Sequence, residues 1–182
     1  MHEKTAILIA TALALVPAYA RAQQSTRDAE DVTREQVELV LKGMIGESID
    51  RQLKVVDIGA GNVAVGILHR TDAHDSDGAH RGIVHTQISE VYVILSGWGT
   101  LLTGGEMYDA TEPSAGSIVV GPTFSAESRN GTLREIEQGD VVVIPAGTLH
   151  GWTEIPDHVT YFSIRPDPHG ALPTGYVNPA ID

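Results

Sequence analysis

The chain has 182 residues, 24 of them acidic and 12 basic, no cysteine, and a net charge of −12. A surface of that sign repels phosphate backbones and anionic lipid, which argues against nucleic-acid and membrane partners for the folded protein. Without cysteine, stability comes from packing rather than disulfides, and any metal must be held by imidazole, carboxylate or amide groups.

Residues 1–22 read as a secretory signal. Lys4 precedes an unbroken apolar run, Ala6 to Val16, and Pro17 is followed by small residues at Ala18, Ala20 and Ala22. The run is too short to span a bilayer. Cleavage after Ala20 or Ala22, with Gln23 as the favoured mature start, makes the expected location periplasmic or secreted.

Residues 23–52 form the next expected unit, a polar tether followed by one helix. Thr33 and Gln36 stand at capping-box spacing, and Val37, Val40, Leu41, Met44 and Ile45 recur on one helical face. This helix is expected to lie over the outside of the strand-rich region beyond it and to carry no chemistry.

From residue 53 the pattern changes to short β-like runs: 53–58, 63–70, 82–88, 90–95, 99–103, 117–120, 132–137, 141–144, 150–154 and 159–165. Gly-rich turns separate them, and a single helix beside so many strands predicts an antiparallel barrel or sandwich. Segments 71–81 and 104–116 read as long loops. Residues 166–182, punctuated by Pro166, Pro168, Pro173 and Pro179, are expected to wrap over the surface in extended form.

Two segments carry chemistry. In GDVVVIPAGTLH, Gly139 to His150, a turn leads into a short apolar strand that Pro145 ends, and Gly147 can take the positive φ of a tight turn. His150 then opens the next strand as a rigid donor. In GIVHTQISEVYVILSGWGTL, His85 and Glu90 flank the end of one strand and the start of the next. Ile83, His85 and Gln87 share one strand face, and Glu90, Tyr92 and Ile94 another. A lone histidine is more often a core residue than a ligand, and a lone glutamate is more often solvated. Together His85, Glu90 and His150 form a two-His, one-carboxylate set, which suits Fe(II) and tolerates Mn, Ni or Zn.

These segments resemble the two motifs of the cupin family, G-x5-H-x-H-x3–4-E-x6-G and G-x5-P-x-G-x2-H-x3-N. Gly139, Pro145, Gly147 and His150 match the second, with Glu154 in place of Asn. Glu90 and Gly97 match the first, with His85 at its second histidine and Ile83 at the position of its first. The resemblance spans residues 53–165. It implies an all-β double-stranded β-helix, or jelly-roll barrel, with a divalent metal in its mouth and frequent homodimerisation. With Ile83 replacing a ligand, Gln87 is the expected fourth donor, and His69 and His80 are the other candidates.

Further residues have two readings each. Tyr92 is a pocket acid or hydrogen-bond donor that orients substrate alongside Gln87, or a packed barrel tyrosine. Arg165 clamps a substrate carboxylate if the face it shares with Tyr161 and Ser163 points inward, and is a surface charge otherwise. Trp152 is a packing residue or lines the pocket, while Trp98 is expected to pack. The loop bearing His74, Asp75, Asp77 and His80 lacks calcium-loop spacing and reads as acidic and flexible. No G-x-S-x-G segment supports a serine hydrolase. The functions left are a metal-dependent dioxygenase, or an isomerase or lyase, acting on a small organic molecule, and a non-catalytic barrel that binds or senses one.

Overall fold

The computed structural model describes residues 28–44, 49–74 and 80–182. The expected signal at 1–22, Ile45 of the helix face, and Asp75 and Asp77 lie outside the described residues.

The helix α1 (Arg34–Lys42) begins where the sequence placed it. Thr33 Oγ1 accepts the Gln36 amide at 3.2 Å, and Gln36 Oε1 accepts the Thr33 amide at 3.0 Å, closing a reciprocal capping box. Its apolar side, with Val40 and Met44 buried, packs on Leu53, Val65, Ile67, Leu95 and Phe162. These residues lie on the outer face of the sheet, so the helix shields the back of the barrel and stays away from its interior.

Ten strands come after it: β1 (Ile49–Asp57), β2 (Asn62–His74), β3 (His80–His85), β4 (Glu90–Thr103), β5 (Glu106–Tyr108), β6 (Ser114–Ser117), β7 (Gly121–Arg129), β8 (Thr132–Glu137), β9 (Val141–Ile144) and β10 (His150–Asp167). The pairings the structure shows are antiparallel, in the order β1-β2-β10-β3-β7-β5, with β4 against β10, β8 and β9, and β6 against β7. The chain is an all-β double-stranded β-helix with one N-terminal helix.

Two long bent strands close the barrel. The first part of β4, Glu90–Val93, pairs with β9, and its last part, Trp98–Thr103, with β8. β10 pairs with β2 along most of its length, but its first residue, His150, lies between Ile83 of β3 and Thr103 of β4. The sequence pattern divides each of these strands in two, because the Gly97 turn signal and Pro156 look like ends. Gly97 is instead a bend inside β4 with φ +74°, where the His158 backbone leaves no room for a Cβ. Pro156 falls in an irregularity between Ile155 and His158, where a strand loses no ladder bond by carrying proline.

Two further differences matter. Of the run 117–120, Ser117 ends β6 and 118–120 is a turn, and the strand is the polar segment after it, β7, which pairs residue for residue with β3. Its alternation is weak in sequence because Ser128 and Ala126 supply its buried side. The barrel also starts earlier than residue 53: β1 carries Asp50 and Gln52 into the interior, and β10 continues to Asp167.

The interior core is Leu68, Tyr92, Ile94, Leu101, Ile136, Val142, Ile144, Ile155, Val159 and Tyr161. Residues 168–182 do not merely lie over the surface. Leu172 is buried against Val55, Ala64 and Ile88, Val177 pairs with Lys54, and Asn178 Nδ2 donates to the Gln52 carbonyl at 2.8 Å.

Candidate metal centre

His85 ends β3, Glu90 begins β4, and the turn between them packs against the turn that precedes His150. The Gly147 amide donates to the His85 carbonyl at 2.9 Å, and the Ala146 amide to Ser89 Oγ at 3.1 Å. Gly147 sits at φ +81° with open space around its Cα, so glycine serves conformation there rather than close packing. The two sequence segments are thus joined by hydrogen bonds from two backbone amides, and their three polar side chains converge.

His85, Glu90 and His150 are all buried, and one donor atom from each lies within 4.8 Å of the others. Glu90 Oε2 is 3.1 Å from His150 Nε2 and 3.5 Å from His85 Nε2. Ligands at right angles around an ion roughly 2.1 Å away would stand about 3 Å apart, so the spacing suits a shared cation.

The tautomers are set by the other ring nitrogens. His150 Nδ1 is 3.0 Å from the Thr148 carbonyl, which can only accept, so Nδ1 carries the hydrogen. His85 Nδ1 is 2.8 Å from Thr123 Oγ1, whose own hydrogen goes to the Gly121 carbonyl at 3.0 Å, so this Nδ1 also donates. In its neutral form each ring therefore aims an Nε2 lone pair at a carboxylate oxygen. Acceptors do not converge on an acceptor without a cation between them, whether a proton or a metal ion, and His150 Nε2 is buried with no hydrogen-bond partner. Two imidazoles and a carboxylate oxygen, each oriented by an outer partner, fit a divalent metal.

Glu90 is held from behind. Its Oε1 accepts from Ser163 Oγ at 2.7 Å and from Arg165 Nε at 3.0 Å, while Oε2 accepts from Tyr92 Oη at 3.0 Å. Burial alone would raise this carboxyl, but the hydrogen bonds it accepts and the Arg165 charge outweigh burial and hold it well below the usual range. Arg165 is fully buried and also bonds Gln52 Oε1, at 2.7 Å, and Asp50 Oδ2. Burial and the neighbouring Glu90 charge push the Tyr92 phenol well above its ordinary value, so it remains a donor.

Beside His150 lies a pocket of about 330 Å³, lined by Arg70, Arg81, Ile83, Tyr92, Trp152 and Ile155 among others. Trp152 Nε1 and Arg70 Nε both donate to Tyr161 Oη, at 3.2 and 3.1 Å, which fixes that wall.

Some expectations change. Gln87 is exposed and lies beyond the end of β3, so the alternation that put it on the His85 face stops before reaching it. His69 faces outward from β2, with Nδ1 2.8 Å from Thr160 Oγ1 and its ring 5.8 Å from that of His158. His80, an odd number of residues from His85 on β3, is on the opposite face by alternation. The face of Tyr161, Ser163 and Arg165 does point inward, but Arg165 clamps the protein's own Glu90 and Asp50 rather than a substrate. Trp98 is exposed, and His74 pairs with Asp72 at 3.0 Å. Sequence reasoning missed Thr123, Asp50 and Gln52. Thr123 lies in the polar strand that the pattern does not reveal, and the other two precede the expected start of the barrel.

No protein-family profile matches the chain, and no curated protein matches it. Among solved structures it is similar to BH2720 from Bacillus halodurans, with 15% identity over 82% of this chain and 89% of that one and a TM-score of 0.45. It is also similar to an uncharacterised double-stranded β-helix protein from Klebsiella pneumoniae, with 14% identity, 75% and 94% coverage and a TM-score of 0.39. A recombinant oxalate oxidase solved with glycolate is a further likeness, with 17% identity, 67% coverage of this chain and 52% of that one, and a TM-score of 0.38. At these identities the likenesses concern the fold alone.

Proposed function

We propose that this cupin-like barrel is an exported metal-dependent enzyme acting on a small organic molecule, with the metal held by His85, Glu90 and His150. The observation that carries this reading is the convergence of two buried imidazole Nε2 atoms on one carboxylate oxygen, with His150 Nε2 left without a hydrogen-bond partner. A metal there, iron, manganese, nickel or zinc, would supply either oxygen chemistry on a chelating substrate or polarisation of a carbonyl for isomerisation or elimination. The chain's own contributions are separate. Arg165 and Ser163 fix the Glu90 carboxylate, Thr123 and the Thr148 carbonyl fix the two rings, and Tyr92 holds a phenolic proton at the pocket floor. Trp152 and Ile155 give the pocket apolar walls.

A second reading is a barrel that holds a small ligand without turning it over. Ile83 favours it, since this residue lines the pocket where a fourth protein ligand would strengthen metal retention. We also place the mature protein in the periplasm or outside the cell, as a homodimer.

The deciding experiment is elemental analysis of the mature protein, purified without a His tag or chelator, beside His85→Ala and His150→Ala. Near-stoichiometric metal in the wild type, lost in both folded variants, is the expected result. No metal in the wild type after reconstitution with iron, manganese, nickel and zinc would overturn the enzyme reading in favour of the ligand-holding barrel. Oxygen uptake or carbonyl turnover by the loaded protein would then separate catalysis from binding.

A further inference from the structure

In a chain with twice as many acidic as basic residues, the pocket beside His150 has two arginines in its lining and no carboxylate. The two differ in availability. Arg81 is 60% exposed and neutralised by Glu127 at 2.5 Å, so it belongs to the rim. Arg70 is half-buried on the inward face of β2 and has no ion-pair partner among the described residues. Its Nε–H donates to Tyr161 Oη at 3.1 Å, and the same oxygen accepts from Trp152. That bond sets the plane of the guanidinium, whose forked end carries four further N–H donors. The charge of Asp50 acts on it from beyond ion-pair distance and is already paired with Arg165, so the guanidinium fork suits an anion entering the pocket.

We propose that the pocket takes a small organic acid, with Arg70 gripping the carboxylate and Ile83, Trp152 and Ile155 enclosing an apolar body. The rest of the molecule extends toward Tyr92 and His150 at the pocket floor. This rests on the reading that the pocket is the ligand site of the barrel, and it names the ligand's chemical class. Arginine suits the task because its planar fork pairs with both oxygens of a carboxylate. Arg70 is the specificity-determining residue, a role that the sequence offered to Arg165 as one of two readings.

The test uses benzoate as the probe and benzamide as its neutral counterpart, titrated calorimetrically into the full mature protein, both metal-stripped and zinc-loaded. Wild type should bind benzoate more tightly than benzamide. Arg70→Met should weaken benzoate on the order of tenfold to a hundredfold while leaving benzamide unchanged. Arg70→Lys, which keeps the charge but loses the fork, should fall between, and Arg134→Met, at an exposed arginine of β8 outside the pocket, should stay near wild type. Circular dichroism and metal content of each variant show whether the barrel and the metal centre are intact. Equal affinity for benzoate and benzamide in the wild type, or undiminished benzoate binding by a folded Arg70→Met, would overturn the proposal. Arg70-dependent benzoate binding by a protein that takes up no metal would uphold the acid pocket and sink the metal reading; metal uptake without benzoate preference would do the reverse.

Discussion

At the scale of single residues, the site depends on what stands behind its ligands. His85 has its usable lone pair on Nε2 because Thr123 accepts from Nδ1 and passes its own hydrogen to Gly121. Thr123→Val keeps the side-chain shape and removes that acceptor. We expect metal affinity to fall about 10–100-fold with little change in thermal stability, measured by competition with a chelator of known affinity. An unchanged affinity would mean that the ring is oriented by its packing alone. Arg165 shows why a residue's face does not define its role. The period of the strand correctly pairs it with Tyr161 and Ser163, but Gln52 and Asp50, from the far end of the sequence, decide that it faces the protein and not a substrate.

At the scale of elements, the C-terminal segment closes on the barrel through a buried carboxylate. Asp167 Oδ1 accepts the Ala171 amide at 2.9 Å, and Oδ2 accepts the Leu172 amide at 2.9 Å and Asn62 Nδ2 at 3.2 Å. Burial raises the Asp167 carboxyl, but the amides of Leu172 and Ala171 and the Asn62 side chain outweigh it and leave the group below its ordinary value. A folded-state value below the unfolded one contributes stability that is full above the ordinary carboxylate range and disappears as pH falls through the folded value. Asp167→Asn would turn an NH2 group toward N–H donors. It should cost about 1–3 kcal/mol at neutral pH, with the difference from wild type shrinking below roughly pH 4. Urea unfolding across that range checks both the size and the sign; a difference independent of pH would assign the loss to packing.

At the scale of the whole molecule, the back of the barrel is only partly covered. Helix α1 shields Leu53 and Ile67, whereas Val141 and Val143 of β9 are 60% and 67% exposed beside the half-buried Val91 and Val93 of β4. An outward valine stripe on so acidic a chain is suited to burial against a second copy, where charged residues would oppose association. If the proposed homodimer uses this face, Val143→Lys should convert it to monomer in sedimentation velocity, with the circular dichroism spectrum and metal content unchanged. A variant that remains dimeric would move the interface elsewhere.

The features legible in the chain alone are local ones. The capping box of α1, the glycine turns and the apolar alternation of β2, β4 and β9 all reflect interactions between near neighbours or a repeat of fixed period. Those signals are enough to read an antiparallel barrel or sandwich with one helix, while the resemblance to the two cupin motifs chose the barrel and singled out His85, Glu90 and His150. Long-range contacts settled the rest. They continued β4 and β10 through Gly97 and Pro156, because pairing partners on both sides outweigh a local break. They made a strand of 121–129, whose polar residues become β only when laid against β3. They ended β3 at His85, which left Gln87 in solvent, and they filled the inside of Glu90 with Arg165 and the mouth of the pocket with Arg70. Each of these outcomes depends on contacts between residues far apart in the chain, and no periodicity within one segment encodes them.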